Sequence, residues 1–241
     1  MQSIGISDKG IRREKNEDSF YRTDESIGAL KNLYAVCDGM GGHKAGEVAS
    51  QTAIDVLTEC IMNHDYEDAV SVIQDSITEA NKEVYSFANS DRSRNGMGTT
   101  LVAATIDENN MTVANVGDSR LYVISKDKIR QITVDHSVVE ELLRSGAITE
   151  DSEIYHAQKH KITRAVGAEE TVDIDFFHYT LSMDDYVLLC SDGLTNEVKN
   201  EEILTVVSGE GSVEEKAKTL VNLANEHGGN DNITVLLIKP F

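Results

Sequence analysis

The run Leu33-Tyr34-Ala35-Val36-Cys37 stops at Asp38 and passes into Gly39-Met40-Gly41-Gly42-His43. Such a run predicts a buried strand that ends by presenting one charge. Burying a lone carboxylate costs on the order of several kcal/mol, so an Asp in this place needs a hydrogen-bonded partner, a cation or a metal. Glycines lack a Cβ, so they let carbonyl oxygens approach an ion closely. That makes the Gly39 carbonyl a candidate ligand beside the Asp38 carboxylate. Asp-Gly after a strand is commonly only a turn, but here the pattern recurs. Val113-Ala114-Asn115-Val116-Gly117-Asp118 and Tyr186-Val187-Leu188-Leu189-Cys190-Ser191-Asp192-Gly193 end the same way, and Gly228-Gly229-Asn230-Asp231-Asn232 leads into the apolar run 233–238. Chance turns need not converge, so several strand-end carboxylates predict a polynuclear metal site.

The 241 residues are enough for a substantial core. With no Pro- or Ser-rich linker, internal repeat or low-complexity segment, they read as a single domain over 1–241. A net charge of −20 argues against a nucleic-acid binder, whose affinity rests on clustered Lys and Arg. An acidic chain that holds an anionic substrate needs a local positive centre, and divalent metals supply one. Cys37, Cys60 and Cys190 are odd in number, lie in apolar surroundings and lack metal-ligand spacing. They read as reduced core residues of a cytoplasmic protein. Met1-Gln2-Ser3-Ile4-Gly5 is not a charged and apolar leader, and no apolar run approaches the roughly 20 residues of a membrane span. Neither export nor a membrane partner is expected.

Strands are expected over 3–7 and 16–21. Ala45, Val48, Ala49, Ala53, Val56, Leu57 and Ile61 recur at steps of three and four, which predicts an amphipathic helix. A second helix over 67–89 carries Ala69, Ile73, Ile77, Ala80, Val84 and Phe87 on one face. The period then changes: 100–107, 112–116, 120–125 and 129–134 are β-rich runs joined by short polar turns, which favours antiparallel neighbours. Asp135-His136-Ser137 offers caps for a helix over 138–145 that ends at Gly146. Residues 149–167 show no clear period and read as a surface excursion. Strands over 172–181 and 186–190 and a helix over 199–207 follow. Ser212-Val213-Glu214-Glu215 is a capping box that opens a helix running to about 227. This order predicts an α+β layered sandwich, helices outside two sheets, with the strand-mouth carboxylates sharing one edge.

Six motifs carry a resemblance that spans nearly the whole chain: Arg13-Glu14-Lys15-Asn16-Glu17-Asp18, Asp38-Gly39-Met40-Gly41-Gly42-His43, Gly96-Met97-Gly98-Thr99-Thr100, Gly117-Asp118-Ser119-Arg120, Ser191-Asp192-Gly193-Leu194 and Gly229-Asn230-Asp231-Asn232-Ile233-Thr234. In this order they resemble the type 2C family of metal-dependent serine/threonine protein phosphatases, in its compact bacterial form. The resemblance implies a four-layer sandwich of two antiparallel β-sheets flanked by α-helices on both faces, with a metal centre at one edge. It implies two tightly bound Mn²⁺ or Mg²⁺ ions and a weaker third. Asp38 would bridge the pair, Asp192 and Asp231 would complete the first ion, and the Gly39 carbonyl would serve the second. Asp18 would lie at or just behind that second ion, and Asp118 would join Asp192 at the third. All are hard oxygen ligands, which favours Mg²⁺ or Mn²⁺ over zinc or copper. Two such ions acidify a water for in-line attack on phosphorus and shield the phosphate charge.

Arg13 stands at the family's phosphate-binding arginine, which makes the implied catalytic set Asp38, Asp192, Asp231 and Arg13. The 149–167 excursion resembles the flap beside the active site, where His160 and Arg164 would touch substrate or a metal-bound water. The implied partners are phosphoproteins and a bacterial Ser/Thr kinase with its targets. Two positions depart from the family pattern. Met40 replaces the His that follows Asp-Gly in animal members, with His43 three residues on, and Asn196 replaces a carboxylate that helps hold the third ion. His136 reads as structural, and His156 and His160 lack the nearby Glu of a zinc-protease pattern and read as exposed loop residues. A calcium-sensing module and a nucleotide cradle are the rival readings. The chain has neither the alternating carboxylates of a calcium loop nor Gly-Lys-Ser/Thr after Gly42. Oligomeric state has no signature in the sequence.

Overall fold

The computed structural model describes residues 1–41, 45–63, 68–91, 94, 96–149 and 151–241. Strands β1 (Gln2–Asp8), β2 (Asp18–Thr23) and β3 (Leu33–Met40) precede helices α1 (Ala45–Asn63) and α2 (Ala69–Ser90). Then come β4 (Gly98–Thr99), β5 (Leu101–Asp107), β6 (Asn110–Val116), β7 (Arg120–Ile124), β8 (Ile129–Gln131), α3 (Val138–Arg144) and α4 (Glu153–Gln158). The chain ends with β9 (Asp175–Thr180), β10 (Tyr186–Cys190), α5 (Asp192–Thr195), α6 (Asn200–Ser208), α7 (Val213–Glu226) and β11 (Ile233–Lys239). The strands form two antiparallel sheets, ordered β1-β11-β10-β7-β8 and β2-β3-β5-β6-β9, with β4 beside β3.

The continuous apolar runs follow from burial on both faces of each sheet. Successive side chains of a strand point to opposite faces. Along β3, Leu33, Ala35 and Cys37 pack into the core under α1 and α2, while Tyr34 and Val36 pack against the other sheet. β11 does the same, sending Leu236 and Ile238 between the sheets and Val235 and Leu237 toward α6 and α7. Three apolar cores therefore separate four layers, helix–sheet–sheet–helix, as expected. Each fully buried Leu, Ile or Val contributes about 1.5–3 kcal/mol. The stripe expected on α1 is buried at Ala49, Ala53, Leu57 and Ile61, but Val48 is exposed.

Three local expectations are corrected. Residues 149–167 contain a helix, α4, whose start is fixed by Ser152 Oγ accepting from the Tyr155 N–H. Its single capping signal lacked an apolar period, and it places His156 in a helix rather than a loop. Asp192-Gly193 opens the one-turn helix α5. β8 stops at Gln131, because Thr133 satisfies the Leu121 N–H with its side-chain oxygen instead of its carbonyl. β9 starts at Asp175, since the Asp173 carbonyl is bonded to Arg164 rather than to a strand.

The antiparallel registers bring the charged strand ends to one edge. Asp18 lies opposite Asp38 in the β2–β3 ladder. β10 ends just before Asp192, and β11 starts just after Asp231. Asp118 lies on the connection from β6 to β7, which crosses from one sheet to the other.

Candidate active site

Hydrogen bonds fix the backbone around each carboxylate. The Asp38 N–H donates to Thr100 Oγ1, and its carbonyl accepts from the Thr100 N–H and Thr99 Oγ1, all at 2.9 Å. A Cβ on Gly39 would collide with the Gly46 and Glu17 carbonyl oxygens, and one on Gly193 would collide with the Asn232 carbonyl. Those two positions admit only glycine, which is what lets the ends of β3 and β10 approach their neighbours. Asn232, 3% exposed, holds the loop that carries Arg13. Its Nδ2 donates to the Lys9 and Lys15 carbonyls at 2.9 and 2.7 Å, and its Oδ1 accepts from the Glu17 N–H at 2.8 Å.

A cavity of about 630 Å³ opens at this edge, lined by Arg13, Glu17, Asp38, Gly39, Asp118, Lys159, His160, Asp192, Asn196 and Asp231, among others. Asp18 lies behind its wall. Asp18 Oδ2 accepts from Ser191 Oγ at 2.7 Å and Thr234 Oγ1 at 2.6 Å. Thr234 is in turn bonded to Ser7, and Ser7 accepts from Asn16. Arg13 Nη2 donates to Asp231 Oδ2 at 2.7 Å, and Asn196 Nδ2 donates to Asp192 Oδ2 at 2.8 Å.

The carboxylates hold one another's protons. Burial, then the charges of Asp18, Asp192, Asp118 and Asp231, push the Asp38 carboxyl well above the usual 3.8. Burial pushes Asp18 up to about 7, against the bonds from Thr234 and Ser191 and with help from Asp192 and Asp231. Asp118 is pushed up to about 8 by burial and by Asp192 and Asp135. Asp192 is raised by burial and by Asp231. Glu17 is raised by burial. Such mutual elevation is the signature of a site that lacks compensating positive charge.

The donor set fits hard divalent cations. Among the described residues Asp18 Oδ1 and Asp192 Oδ1 are buried with no hydrogen-bond partner, and an orphaned carboxylate oxygen needs either a donor or a cation. All the converging groups are carboxylate or carbonyl oxygens, the chemistry of Mg²⁺ and Mn²⁺. Among the described residues, no three His, Cys, Asp or Glu side chains close by themselves into a finished coordination group. The carboxylates instead ring the cavity, and Asp231 is engaged by Arg13.

Of the expected site residues, Arg13, Asp38, Gly39, Asp118, His160, Asp192 and Asp231 share this cavity, and Asp18 supports it from behind. Arg164 is the exception. Its Nη1 donates to Asp175 Oδ1 at 2.8 Å and to the Asp173 carbonyl at 3.1 Å, and it lines a neighbouring cavity instead. Asp175 also faces His136, whose Nδ1 accepts from the Gly117 N–H. His136 Nε2 therefore carries the proton and donates to Asp175, a structural role as expected. His43 lies outside the described residues. Sequence reasoning missed Lys159, which reaches the cavity only because α4 folds over it. It also missed Glu17 and the supporting Asn232, Ser191 and Thr234, although all four lie in or next to the motifs that mark the carboxylates.

The protein phosphatase 2C family model matches residues 4–142. The chain is 41% identical over 240 residues to the serine/threonine phosphatase stp of Listeria innocua, across 97% of this chain and 93% of that protein. The chain belongs to the protein phosphatase 2C family. As a type 2C serine/threonine phosphatase it is also similar in structure to Stp1 from Staphylococcus aureus. The TM-score is 0.91 at 38% identity, covering 98% of this chain and 93% of that one. Similarity extends to the catalytic domain of the phosphatase PstP in complex with two manganese ions, with a TM-score of 0.84 at 34% identity over 98% and 96% of the two chains. The type 2C fold explains why carboxylates so far apart in sequence meet at one edge.

Proposed function

We propose that this type 2C phosphatase hydrolyses phosphoserine and phosphothreonine esters in proteins with two divalent cations, Mn²⁺ or Mg²⁺, held in the carboxylate cavity. The observation that carries this reading is the pair of buried, partnerless oxygens on Asp18 and Asp192 within a ring of mutually raised carboxylates. Asp38, Asp192, Asp231 and the Gly39 carbonyl would hold the ions, with Asp18 behind them. When bound, the two cations supply an acidified water and neutralise phosphate charge. Asp38 is aimed into the cavity by Thr99 and Thr100, and Asp18 is oriented by Ser191 and Thr234. Arg13 is the phosphate clamp, and an incoming phosphate competes with Asp231 for its guanidinium fork. His160, exposed at the end of the α4 segment, faces the bound substrate. The test is hydrolysis of a phosphothreonine peptide by the stripped protein. Mn²⁺ should start turnover and a chelator should stop it, and no turnover above blank under Mn²⁺ would overturn the proposal.

Arg13→Ala should raise KM for a phosphopeptide roughly tenfold to a hundredfold, the worth of hydrogen bonds to a charged group, with a smaller drop in kcat. Arg12, whose side chain does not line the cavity, is the control. A larger loss in Arg12→Ala would assign the clamp to the wrong arginine.

A third ion, near Asp118 and Asp192, should bind weakly. Asn196 brings a neutral amide there, and that amide points an N–H at Asp192 rather than offering a second carboxylate. Charge count governs affinity for hard cations. Asn196→Asp should shift the Mn²⁺ activation curve to lower concentration, and Asp118→Asn should lower turnover while leaving the two tighter ions. Coincident curves for wild type and Asn196→Asp would remove Asn196 from the account.

The phosphatase is taken to act as one domain over residues 1–241, a reading supported by the pairing of β1 with β11 from opposite ends of the chain. Its expected setting is the cytoplasm, opposite a Ser/Thr kinase. The thiols of the buried Cys37 and Cys190, neither in a disulfide, support a reducing compartment. Among the described residues, no helix is long and apolar enough to cross a membrane.

A further inference from the structure

A second cavity, of about 420 Å³, adjoins the carboxylate cavity and shares Met40 and Ile162 with it. Ala165, Ala168 and Val172 give it an apolar wall, and Glu169 and Asp173 stand on its rim. Both acidic residues are exposed, and among the described residues no hydrogen bond or ion pair engages either carboxylate. Among the described residues the cation in this wall is Arg164, which is neutralised by its ion pair with Asp175. The cavity thus presents uncompensated negative charge next to a site that takes a phosphorylated side chain.

This wall is built rather than draped. The Val166 N–H and carbonyl exchange bonds with Thr99 at 2.9 and 3.0 Å. Buried Asn81 of α2 accepts from the Gly167 N–H at 2.7 Å and donates to the Glu169 and Glu170 carbonyls at 3.1 Å. Arg164 ties the Asp173 carbonyl to Asp175. The segment is therefore fastened to β4, α2 and the start of β9, and its shape is set before any ligand arrives, which lowers the ordering cost of binding. Met40 stands at the boundary of the two cavities with an adaptable thioether suited to varied peptide side chains.

We propose that this second cavity is the subsite for a basic residue flanking the phosphoserine or phosphothreonine of the substrate, with the aliphatic stem of Lys or Arg on the Ala165–Val172 wall and its charge between Glu169 and Asp173. The proposal rests on the phosphatase reading of the neighbouring cavity. It also fits the chemistry of the Lys and Arg side chains, whose apolar stem and charged head match an apolar wall with an acidic rim.

The test is a set of phosphothreonine peptides in which Lys, Ala or Glu is scanned through the three positions on either side of the phosphoresidue, with p-nitrophenyl phosphate as the small substrate. At one flanking position Lys should exceed Ala in kcat/KM by about 1.5- to fivefold, the range for an exposed ion pair, and Glu should fall below Ala. In Glu169→Gln combined with Asp173→Asn the Lys-to-Ala ratio should fall to near one. In Glu169→Lys combined with Asp173→Lys the order of Lys and Glu should invert. A flat scan, or a Lys preference that survives in both double variants, would overturn the subsite. No hydrolysis of p-nitrophenyl phosphate by the wild type under Mn²⁺ would instead overturn the phosphatase reading, and the subsite with it.

Discussion

Asp38→Ala is expected to lower kcat/KM for a phosphothreonine peptide by more than about a hundredfold, beyond the loss typical of residues that merely support a metal ligand. The same variant, stripped of metal, should melt at the wild-type temperature or above it. Asp38 is a half-buried carboxyl in the cavity wall beside Asp18, Asp118, Asp192 and Asp231, and burial and these charges disfavour its ionised form. Its backbone anchors on Thr99 and Thr100 do not involve the side chain, so Ala keeps them. Removing the carboxylate should relieve repulsion and abolish chemistry together, a combination that a structural role would not produce. Peptide turnover and thermal melting in chelator measure the two halves. Near-normal activity at saturating Mn²⁺ would remove Asp38 from the metal set, and a large fall in the melting temperature would make it a structural residue.

The metal-free protein should lose stability as pH rises from mildly acidic to slightly alkaline, and Mn²⁺ should restore most of it. In the unfolded chain these Asp carboxyls titrate near 3.8, whereas folding raises Asp18 to about 7 and Asp118 to about 8, with Asp38 and Asp192 also raised. A raised group binds its proton more tightly in the folded state. Its contribution to stability is full below 3.8 and is lost as pH climbs through the folded value. Each pKa unit is worth about 1.4 kcal/mol, so the combined effect is on the order of several kcal/mol. Asp24 and Asp175 act in the opposite sense. Both are held below the usual range by their hydrogen-bond partners, Ser3 and Tyr34 for the first and Arg164 and His136 for the second. They favour the fold above 3.8 and lose that benefit in acid. Melting temperatures from pH 5 to 8, in chelator and in excess Mn²⁺, should diverge as pH rises. A gap between the curves that does not change with pH would contradict the account.

The layers were legible because each strand buries both faces, which leaves continuous apolar runs such as 33–37 and 186–190 that end at a charge. The carboxylates were legible for the same reason, since Asp38 and Asp192 interrupt runs that otherwise admit no charge. Arg13 needed the motif, because an exposed arginine carries no local signal of what it faces. Lys159 could not be read at all. Its place in the cavity depends on α4, whose one turn-and-a-half has a cap at Ser152 but no apolar period. The flap resemblance could not tell which cavity Arg164 lines, because it says nothing about Asp175, the partner that holds it in the neighbouring wall. Asn232 supports the Arg13 loop through three backbone groups more than 200 residues away in sequence, a relation only the closed sandwich reveals.

Calorimetric titration of Mn²⁺ into the chelator-stripped protein tests the central claim most directly. Two ions should bind tightly per chain, with protons released as the raised carboxyls ionise, and Asp38→Ala should lose that binding. Absence of saturable binding by the wild type, or binding by Asp38→Ala indistinguishable from it, would contradict the assignment of this cavity as the metal centre.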